Sequence, residues 1–507
     1  MNIHKISASA VICLALISCS ERDPSKSVNP FVGTALDGHT YPGATAPFGL
    51  VQLSPDSKNG GVAGYHDSDS LILGFSHTHL SGTGQGDLGD FLFVPVIGEV
   101  PQDQDGFSVA PLPFSHKDET AEAGFYKVRF HSLGITAELT ALPHTGIHRY
   151  SFSGKGERRI LIDMRHNVGY TRPDGIVFRE VSDVLVQGGR HVSGWSPDRW
   201  VYFSALFSEP FLSCETDGHD RYLLTFPSDI SQLTISVGLS SVDEEGAENN
   251  RLAEAPDPDF DKALAASAAA WDSRLGKIKV EGGNPERRKV FYTALYHSLI
   301  VPNRMNDLDG RYKDHLGEIK DDPSGLGFYS PLSLWDTFRS WNPLMTILEP
   351  DIVKGMVSSM LDMYELDGQL PLWPLWGMEV DCMIGYHSVS VIADAWLRGI
   401  RGFDGEKALE AMIATSNSYP ATDWYNEYGY IPSDLTPQSV SMTLEYAYDD
   451  WCIARMAESL GHEGIASEYD ARALRYRNLL DTSTGFFRGK DSDGNWRAPF
   501  TPYGTGR

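Results

Sequence analysis

The sequence has few cysteines and, beyond its first twenty residues, no long apolar run. Five cysteines occur in 507 residues. If a signal segment carries away Cys13 and Cys19 is acylated, Cys214, Cys382 and Cys452 remain, a sparse and odd set that is neither a disulfide framework nor a zinc-ligand pattern. No later stretch reaches the apolar length needed to span a bilayer.

Basic residues are also scarce. There are 42 lysines and arginines against 68 aspartates and glutamates, a formal net charge of −26. A surface this acidic repels phosphate backbones and anionic lipid headgroups, which argues against nucleic acid as a partner and against electrostatic docking to membranes. The G-x-S-x-G motif and the phosphate-binding motif G-x-x-x-x-G-K-[ST] are absent as well.

The first residues predict a secreted, lipid-anchored protein. His4 and Lys5 precede the apolar run VICLALI, and Leu16-Ile17-Ser18 leads directly to Cys19. This pattern predicts a lipoprotein signal peptide over residues 1–18, lipidation of Cys19 and a polar tether over 19–27. The alternative is an ordinary signal peptide with an incidental cysteine. Acyl chains would be the protein's only membrane contact, at the bacterial cell envelope (outer membrane or periplasm).

The segment from Val28 to Pro95 is crowded with glycine, proline, histidine and aspartate. It contains VNPFVGTALDGHTYPGATAPFGLVQLSPD and GFSHTHLSGTGQGDLGD, which have neither a helical period nor long alternation. Tight turns are therefore predicted. Imidazoles, carboxylates and main-chain amides at this density suit a ligand rich in hydroxyl groups, such as a sugar.

The pattern of the chain changes once, which predicts two domains. From about residue 125 to 242 short segments alternate between apolar and polar residues, as in Phe125–Phe130, and turn residues separate them, so we predict a β-sandwich over residues 28–250. The break at Glu254-Ala255-Pro256 precedes an alanine-rich helix, predicted as a linker over 251–280. Apolar stripes at helical spacing then predict an all-helical domain over 281–507. The candidate helices lie near 291–299, 332–347, 351–365, 387–399, 405–417, 437–460 and 463–480.

Seven candidate helices are fewer than the twelve of a closed (α/α)6 barrel. An open ring would leave apolar helix faces exposed, which soluble proteins avoid. The sequence thus predicts an α+β two-domain fold, an N-terminal β-sandwich followed by an (α/α)6 helical barrel that is incomplete in this chain. The expectation is that the chain is a fragment.

The motif SLWDTFR, residues 333–339, combines an indole, a carboxylate and a guanidinium at the start of a helix. The indole of Trp335 could stack on a pyranose ring while Asp336 binds two of its hydroxyl groups. The alternative, that Asp336 pairs with Arg339 and Trp335 belongs to the core, is equally compatible with the sequence.

Two further clusters carry acidic residues and histidine. Residues 370–387, rich in proline and glycine, form a predicted loop with Glu379, Asp381 and His387 near its rim. In the helix around residues 443–452, Glu445 and Asp449 are interpreted as a buried structural network.

Other polar motifs are interpreted as structural. His77 and His79 lack an obvious third metal ligand and are expected to be hydrogen-bonded supports. The sequences DLDG at 307–310 and DSDG at 491–494 lack the spacing of an EF-hand and are predicted to be turns.

The quoted motifs, together with CMIGYHSV and LEYAYDDWC, resemble glycoside hydrolase family 92, the bacterial exo-acting α-mannosidases, from about Val28 to the last residue. The resemblance implies a β-sandwich, an (α/α)6 barrel and calcium-dependent hydrolysis of α-mannosides with inversion. It also places Trp335 and Asp336 in the pocket for the terminal mannose of a glycan. His39, Glu379 and His387 are added as rim residues. Gln85 departs from the family, where many members carry cysteine, so substrate choice is not inferred from that loop.

Inversion requires a carboxylic acid and a carboxylate base about 6.5–9.5 Å apart. The family's T-E-G-N and G-N-D-D motifs, which carry them, do not occur in this sequence. The catalytic residues and most calcium ligands are therefore expected beyond Arg507, and no metal ligand is assigned within the chain. The expectation is that the full-length protein is an α-mannosidase acting on α-1,2 linkages of N-glycans, and that the 507-residue polypeptide alone is inactive.

Two alternatives remain open. One is an inverting glycoside phosphorylase or glucoamylase-type enzyme, which would need a phosphate site or a different carboxylate pair. The other is a surface glycan-binding lipoprotein without catalysis. Neither the linkage preference nor the oligomeric state is set by the sequence.

Overall fold

A computed structural model describes residues 23–504 of the 507-residue chain. The predicted signal peptide and the lipidation site Cys19 lie outside these residues. Within residues 23–504, no helix combines the length and the apolar composition that crossing a membrane would require.

The amino-terminal half is a β-sandwich, as predicted. The alternating segment FYKVRF forms one strand, Phe125–Phe130, and its buried side chains Tyr126, Val128 and Phe130 point into the core. The other predicted segments likewise form strands. In chain order the strands are β1 Ala44–Thr45, β2 Gln52–Ser57, β3 Leu71–Ser76, β4 Leu92–Ile97, β5 Gln102–Asp103, β6 Gly106–Phe107, β7 Leu112–Pro113, β8 Glu119–Glu122, β9 Phe125–Phe130, β10 Ile135–Ala141, β11 Thr145–Phe152, β12 Arg158–Asp163, β13 Arg172–Ser182, β14 Leu185–Ser193, β15 Arg199–Phe207, β16 Ser213–Thr216, β17 Arg221–Phe226 and β18 Gln232–Ser240.

Two eight-stranded sheets enclose the sandwich core. The first has the order β1-β2-β3-β4-β12-β17-β16 with β7 beside β3, and the second has the order β13-β14-β15-β18-β11-β10-β9-β8. Apolar side chains from both sheets, among them Phe75, Phe93, Phe203 and Ile235, are completely buried. Burying this much aromatic surface is the main source of the domain's stability.

The carboxyl-terminal half is helical, as predicted, with eleven α-helices between residues 23 and 504. They are α1 Glu244–Glu254, α2 Phe260–Leu275, α3 Pro285–His297, α4 Leu334–Thr337, α5 Trp341–Leu348, α6 Pro350–Asp367, α7 Ser388–Leu397, α8 Gly405–Ser418, α9 Thr422–Tyr428, α10 Ser439–Leu460 and α11 Glu463–Arg472. Short ribbons accompany them: β19 Asn303–Arg304 with β22 Tyr329–Ser330, β20 Arg311–Lys313 with β21 Ile319–Asp321, β23 Pro374–Leu375 with β24 Met378–Glu379, and β25 Leu480–Asp481 with β26 Phe486–Phe487.

Some helix predictions need correction. The stripe at 332–347 is two helices, α4 and α5, because a turn of three residues, Phe338, Arg339 and Ser340, interrupts it. The last predicted helix is α-helical only to Arg472 and continues as the 3-10 segment Arg475–Leu479. Helix α1 was not predicted because its sequence is too polar to show an apolar stripe.

One of the places where the two halves meet is a contact between two loops. Leu80 and Leu88 of the loop 77–90 are buried against Leu372 and Trp373 of the loop 371–382. The rings of Trp195 and Trp373 lie 4.3 Å apart. This contact brings the glycine- and histidine-rich loop of the sandwich next to the loop that precedes α7.

Candidate active site

The loop 77–90 is held from beneath by buried polar groups. His79 Nε2 lies 2.8 Å from Asp56 Oδ1, and His77 Nε2 lies 2.9 Å from His148 Nε2. Burial lowers the pKa of His77 to about 4, so that ring is neutral. Both histidines are hydrogen-bonded supports, as predicted. Within residues 23–504, no three histidine, cysteine or acidic side chains converge in a way that could hold a metal ion.

Asp90 anchors the end of the same loop. Its carboxylate accepts hydrogen bonds from Thr78 Oγ1 at 2.5 Å and from Arg199 at 2.9 Å, and it pairs with Arg190. Burial would raise the pKa of Asp90, but the two guanidinium groups outweigh it and lower that pKa to about 2. The paired charges are completely buried, so removing one would leave another uncompensated.

Helix α4 presents Trp335 and Asp336. The indole Nε1 of Trp335 is buried and has no hydrogen-bond partner among residues 23–504. Asp336 is exposed and accepts a hydrogen bond of 2.5 Å from Ser333 Oγ. The alternative pair of Asp336 with Arg339 does not form, because Arg339 lies 4.8 Å from the Trp335 ring and donates to Glu445 at 3.3 Å. A buried N–H donor and an exposed carboxylate thus remain available at the start of α4.

The start of α4 is bonded to the loop 371–382. Leu332 N donates to Pro374 O at 3.2 Å, and Gly377 N donates to Ser330 Oγ at 2.9 Å. In this loop burial raises the pKa of the Cys382 thiol, and the charges of the Asp336 and Glu379 carboxylates raise it further. The structure therefore brings Asp336 and Glu379 into one neighbourhood.

Glu379 uses both carboxylate oxygens within its own loop. They accept main-chain N–H groups from Leu372 at 2.6 Å, from Trp373 at 3.0 Å, and from Val380 and Asp381 at 3.0 Å. Burial raises the pKa of Glu379 in spite of these donors. Its direct role is to hold the loop in shape, and any contact with a ligand would compete with these bonds.

His387 lies completely buried at the N-terminus of α7, between two acidic residues of α10. Its Nδ1 is 2.9 Å from Asp449 Oδ1, and its Nε2 is 3.3 Å from Glu445 Oε2. Burial alone would lower the pKa of His387, but Asp449 and Glu445 outweigh it and raise that pKa to about 9. Phe338 of the SLWDTFR motif stacks on the imidazolium with the ring centroids 4.1 Å apart.

This arrangement defines the role of the acidic residues in LEYAYDD. Glu445 and Asp449 are one helical turn apart on the face of α10 that meets α7, and the structure places them in a network, as predicted. The sequence analysis missed that Arg339 and Phe338 join this network. The i, i+4 spacing of Glu445 and Asp449 was the available signal for a shared basic partner.

His39 lies on the sandwich side. It has a positive φ of 54°, and its carbonyl oxygen accepts a hydrogen bond of 2.6 Å from Gly82 N. His39 is thereby bonded to the turn SGTG of the loop 77–90. Its main-chain position supports the turn, and in the described part of the chain no hydrogen bond or ion pair joins its imidazole to Asp336 or His387.

The remaining polar motifs are structural turns. Gly310 N donates to Asp307 O at 2.9 Å, and Gly494 N donates to Asp491 O at 3.0 Å, which closes the turns predicted for DLDG and DSDG. Cys214, Cys382 and Cys452 are free thiols. The fold and these contacts define a two-domain protein in which a β-sandwich meets a helical domain at the loop that carries Glu379.

Comparison with known proteins identifies the family. The glycosyl hydrolase family 92 N-terminal domain matches residues 27–240, and the glycosyl hydrolase family 92 catalytic domain matches residues 246–506. The chain belongs to glycosyl hydrolase family 92.

Solved structures agree. A family GH92 alpha-mannosidase from Bacteroides thetaiotaomicron in complex with mannoimidazole is 35% identical, with a TM-score of 0.89 over 95% of this chain and 67% of that one. A family GH92 inverting mannosidase from Bacteroides thetaiotaomicron VPI-5482 is 32% identical, with a TM-score of 0.85 over 94% of this chain and 68% of that one.

A curated relative is an uncharacterized secreted glycosidase of Arthroderma benhamiae. It is 25% identical over 93% of this chain, and the match spans 64% of that relative's length. The chain thus spans less than two thirds of this relative.

Proposed function

We propose that the protein is an exo-acting α-mannosidase that removes terminal α-linked mannose from glycans with inversion at the anomeric carbon. One observation supports this most strongly. The buried indole N–H of Trp335 has no acceptor among residues 23–504, and the next residue of α4, Asp336, has an exposed carboxylate. A pyranose offers an apolar face for the indole and hydroxyl groups for both polar atoms.

In this proposal Trp335 and Asp336 hold the terminal mannose. Glu379 keeps the loop 371–382 in shape beside it, and His387 fixes α4 through its stack with Phe338. His39 supports the turn of the loop 77–90 from the sandwich side. Each of the three is thus a positioning residue, whereas Asp336 touches the sugar.

We also propose that residues 1–507 alone bind mannose without cleaving mannosides. The family's acid and base motifs are absent from the printed sequence. Residues 23–504 do not provide a cluster of side chains that fits calcium. The proposed dependence on calcium therefore requires ligands outside residues 23–504. No catalytic step is assigned to the metal.

The cellular setting is part of the proposal. Acylation of Cys19 after removal of residues 1–18 would attach the protein to the bacterial cell envelope, with residues 19–27 as a tether. The substrate class is mannose-containing glycans, with α-1,2 linkages of N-glycans favoured. The proposed domain boundaries are 28–250, 251–280 and 281–507.

Binding of mannoimidazole to the 507-residue chain tests the pocket. Replacing Asp336→Asn removes a charged acceptor worth about 1.5–3 kcal/mol, so affinity should fall about tenfold to hundredfold. Trp335→Phe keeps the ring and removes only the N–H donor, and it should cost less. The matched control is Asp351→Asn, an exposed carboxylate on α6. Equal affinity of the Asp336→Asn variant and the unaltered chain would refute the pocket.

Activity is tested separately. The 507-residue chain should release no mannose from a synthetic α-mannoside, and turnover by it would refute the proposed inactivity. The protein purified from its natural source should release mannose, and a calcium chelator should abolish that release. Turnover that requires phosphate would favour a phosphorylase instead.

A further inference from the structure

The outer face of the second sheet carries two aromatic rings that the proposed pocket does not use. Trp200 and Tyr202 are two residues apart on β15, so both side chains point to the face of the sheet that lies away from the sandwich core. Their rings are nearly parallel, with an interplanar angle of 9° and centroids 5.4 Å apart. The opposite side of the same strands supplies Arg190 and Arg199 to the buried cluster around Asp90.

Glycine makes room for these rings. Gly189 of β14 pairs with Tyr202 across the sheet, and a Cβ at Gly189 would lie 2.4 Å from Cδ1 of Tyr202. The Tyr202 ring therefore leans over Gly189. On the far side of Gly189 the paired residue is Val177 of β13, which is 47% exposed. The result is a platform across three strands, with the two aromatic rings on β15, Gly189 on β14 and Val177 on β13.

Helix α1 forms a wall beside this platform. The space between them is a groove of about 640 Å³, which we call the sandwich groove. It is within the usual range for small-ligand sites, about 300–1,000 Å³. The groove is lined by Val177, Arg179, Gln187, Trp200, Tyr202 and the first turn of α1.

The charges along the sandwich groove compensate one another. Arg179 pairs with Glu244 at 2.9 Å, and Arg311 pairs with Asp243 at 2.7 Å. Glu248 pairs with Arg251 at 2.7 Å. Three of the four carboxylates that line the groove therefore have basic partners, and Glu245 is the fourth, so most of the acidic charge of the groove is compensated.

One polar atom at the rim of the groove has no partner among the described residues. Glu244 Oε1 is buried without a hydrogen-bond donor among residues 23–504. Gln187 and Arg179 lie on the adjacent strands with planar polar groups. Aromatic faces bordered by planar hydrogen-bonding groups suit a neutral ligand with apolar ring faces and many hydroxyl groups.

The groove continues toward the domain junction. Trp200 also borders a cavity of about 250 Å³, which Lys313, Asp198 and Trp376 line as well. Trp376 Nε1 donates to Trp200 O at 3.2 Å, and Trp376 belongs to the loop 371–382. A chain of several sugars has room here, whereas a single sugar would leave most of the groove empty.

We propose that the sandwich groove is a second carbohydrate-binding site, which takes a neutral oligosaccharide chain across Trp200 and Tyr202. The choice of mannan as its ligand rests on the proposed function, but the groove itself does not. Such a site would retain a polymeric glycan while its chain ends are presented elsewhere on the protein.

Binding of soluble α-mannan to the 507-residue chain tests the site. Trp200→Ala removes half of the platform, and Val177→Arg fills the groove from a half-exposed position. Each should weaken binding about tenfold, as loss of an aromatic anchor does. The matched control is Val181→Arg, which is equally exposed on the same strand but does not line the groove. The melting temperature of each variant checks that it is folded.

The outcomes separate this site from the pocket. The groove variants should keep the affinity for mannoimidazole, and Asp336→Asn should keep most of the affinity for mannan. Unchanged mannan binding in both groove variants would overturn the proposal. An unaltered chain that binds neither mannan nor dextran would overturn it as well. If the groove variants lose dextran binding and mannan does not bind, the second site stands and the mannose specificity fails.

Discussion

At the scale of single residues, His387 has the most constrained environment of the candidate site. It is completely buried, and its two nitrogens face Asp449 and Glu445. Removing one partner from a buried ion pair costs about 3–5 kcal/mol, because the other charge stays buried. We therefore predict that His387→Asn lowers the free energy of unfolding by about that amount, as measured by urea denaturation.

The matched control is His462→Asn. His462 pairs with Glu406 in a solvent-exposed contact, and such pairs contribute about 0–1 kcal/mol. A loss for His387→Asn as small as that for His462→Asn would contradict a charged His387.

The same residue predicts a pH dependence. The pKa of His387 is raised from 6.5 to about 9 in the folded protein. Its contribution to stability is therefore complete below about pH 6.5 and is lost as the pH rises through about 9. The free energy of unfolding should fall by about 2–3 kcal/mol between pH 6 and 9.5, and His387→Asn should flatten that slope. Equal slopes in both proteins would contradict the assignment.

Sequence reasoning located these residues better than it assigned their contacts. The motifs pointed to Trp335, Asp336 and Glu379, and α4 and the loop 371–382 are indeed neighbours. The bonds of Glu379 to four main-chain N–H groups were not predictable, because they depend on how the loop folds back on itself. The link from Arg339 to Glu445 joins residues 106 positions apart, which no local pattern encodes.

At the scale of elements, the loop 371–382 depends on one carboxylate. Glu379→Gln replaces an acceptor oxygen with an NH2 group that faces N–H donors. Hydrogen bonds from main-chain N–H groups to a charged carboxylate are then lost, and each such bond contributes about 1.5–3 kcal/mol. We predict at least about tenfold faster hydrogen exchange at the amides of Leu372 and Trp373. The control is Glu365→Gln, an exposed acid on α6. Unchanged exchange in Glu379→Gln would show that packing alone holds the loop.

Elements with a strong period were predictable and weakly periodic ones were not. Helix α10 lies within two residues of its predicted bounds, because small and apolar side chains recur on its buried face. Helix α1 escaped prediction, since only tertiary contact with β18 and β15 gives it a buried side. The interruption between α4 and α5 depends likewise on the contacts of α4 with its neighbouring loop.

At the scale of the whole molecule, the packing of Trp195 on Trp373 is one of the contacts that couple the two halves. Trp195→Ala removes most of a large, half-buried side chain, at a cost of about 2 kcal/mol or more. We predict that calorimetry will show the helical half melting at a lower temperature and separately from the sandwich. The control is Leu212→Ala, which is 68% exposed on the sandwich. A single unshifted transition in Trp195→Ala would contradict the coupling.

The two-domain architecture followed from the change of pattern along the chain. Alternation over residues 125–242 and helical stripes after residue 281 were sufficient for a sandwich and a helical domain. The contact between loops 77–90 and 371–382 was not predictable, because both loops are irregular and nearly 300 residues apart. That contact is nevertheless what assembles the candidate site.

The bonds across this junction also limit how family members can be recombined. Ser196 Oγ donates to Leu375 O at 3.2 Å, so each half recognises the main chain of the other. A chimera with its crossover between β18 and α1 would combine a sandwich with a foreign partner loop. Exchange of the amino-terminal half should therefore succeed only when residues 371–382 are transplanted with it. The segments that must be exchanged together are thus encoded in two separate parts of the gene.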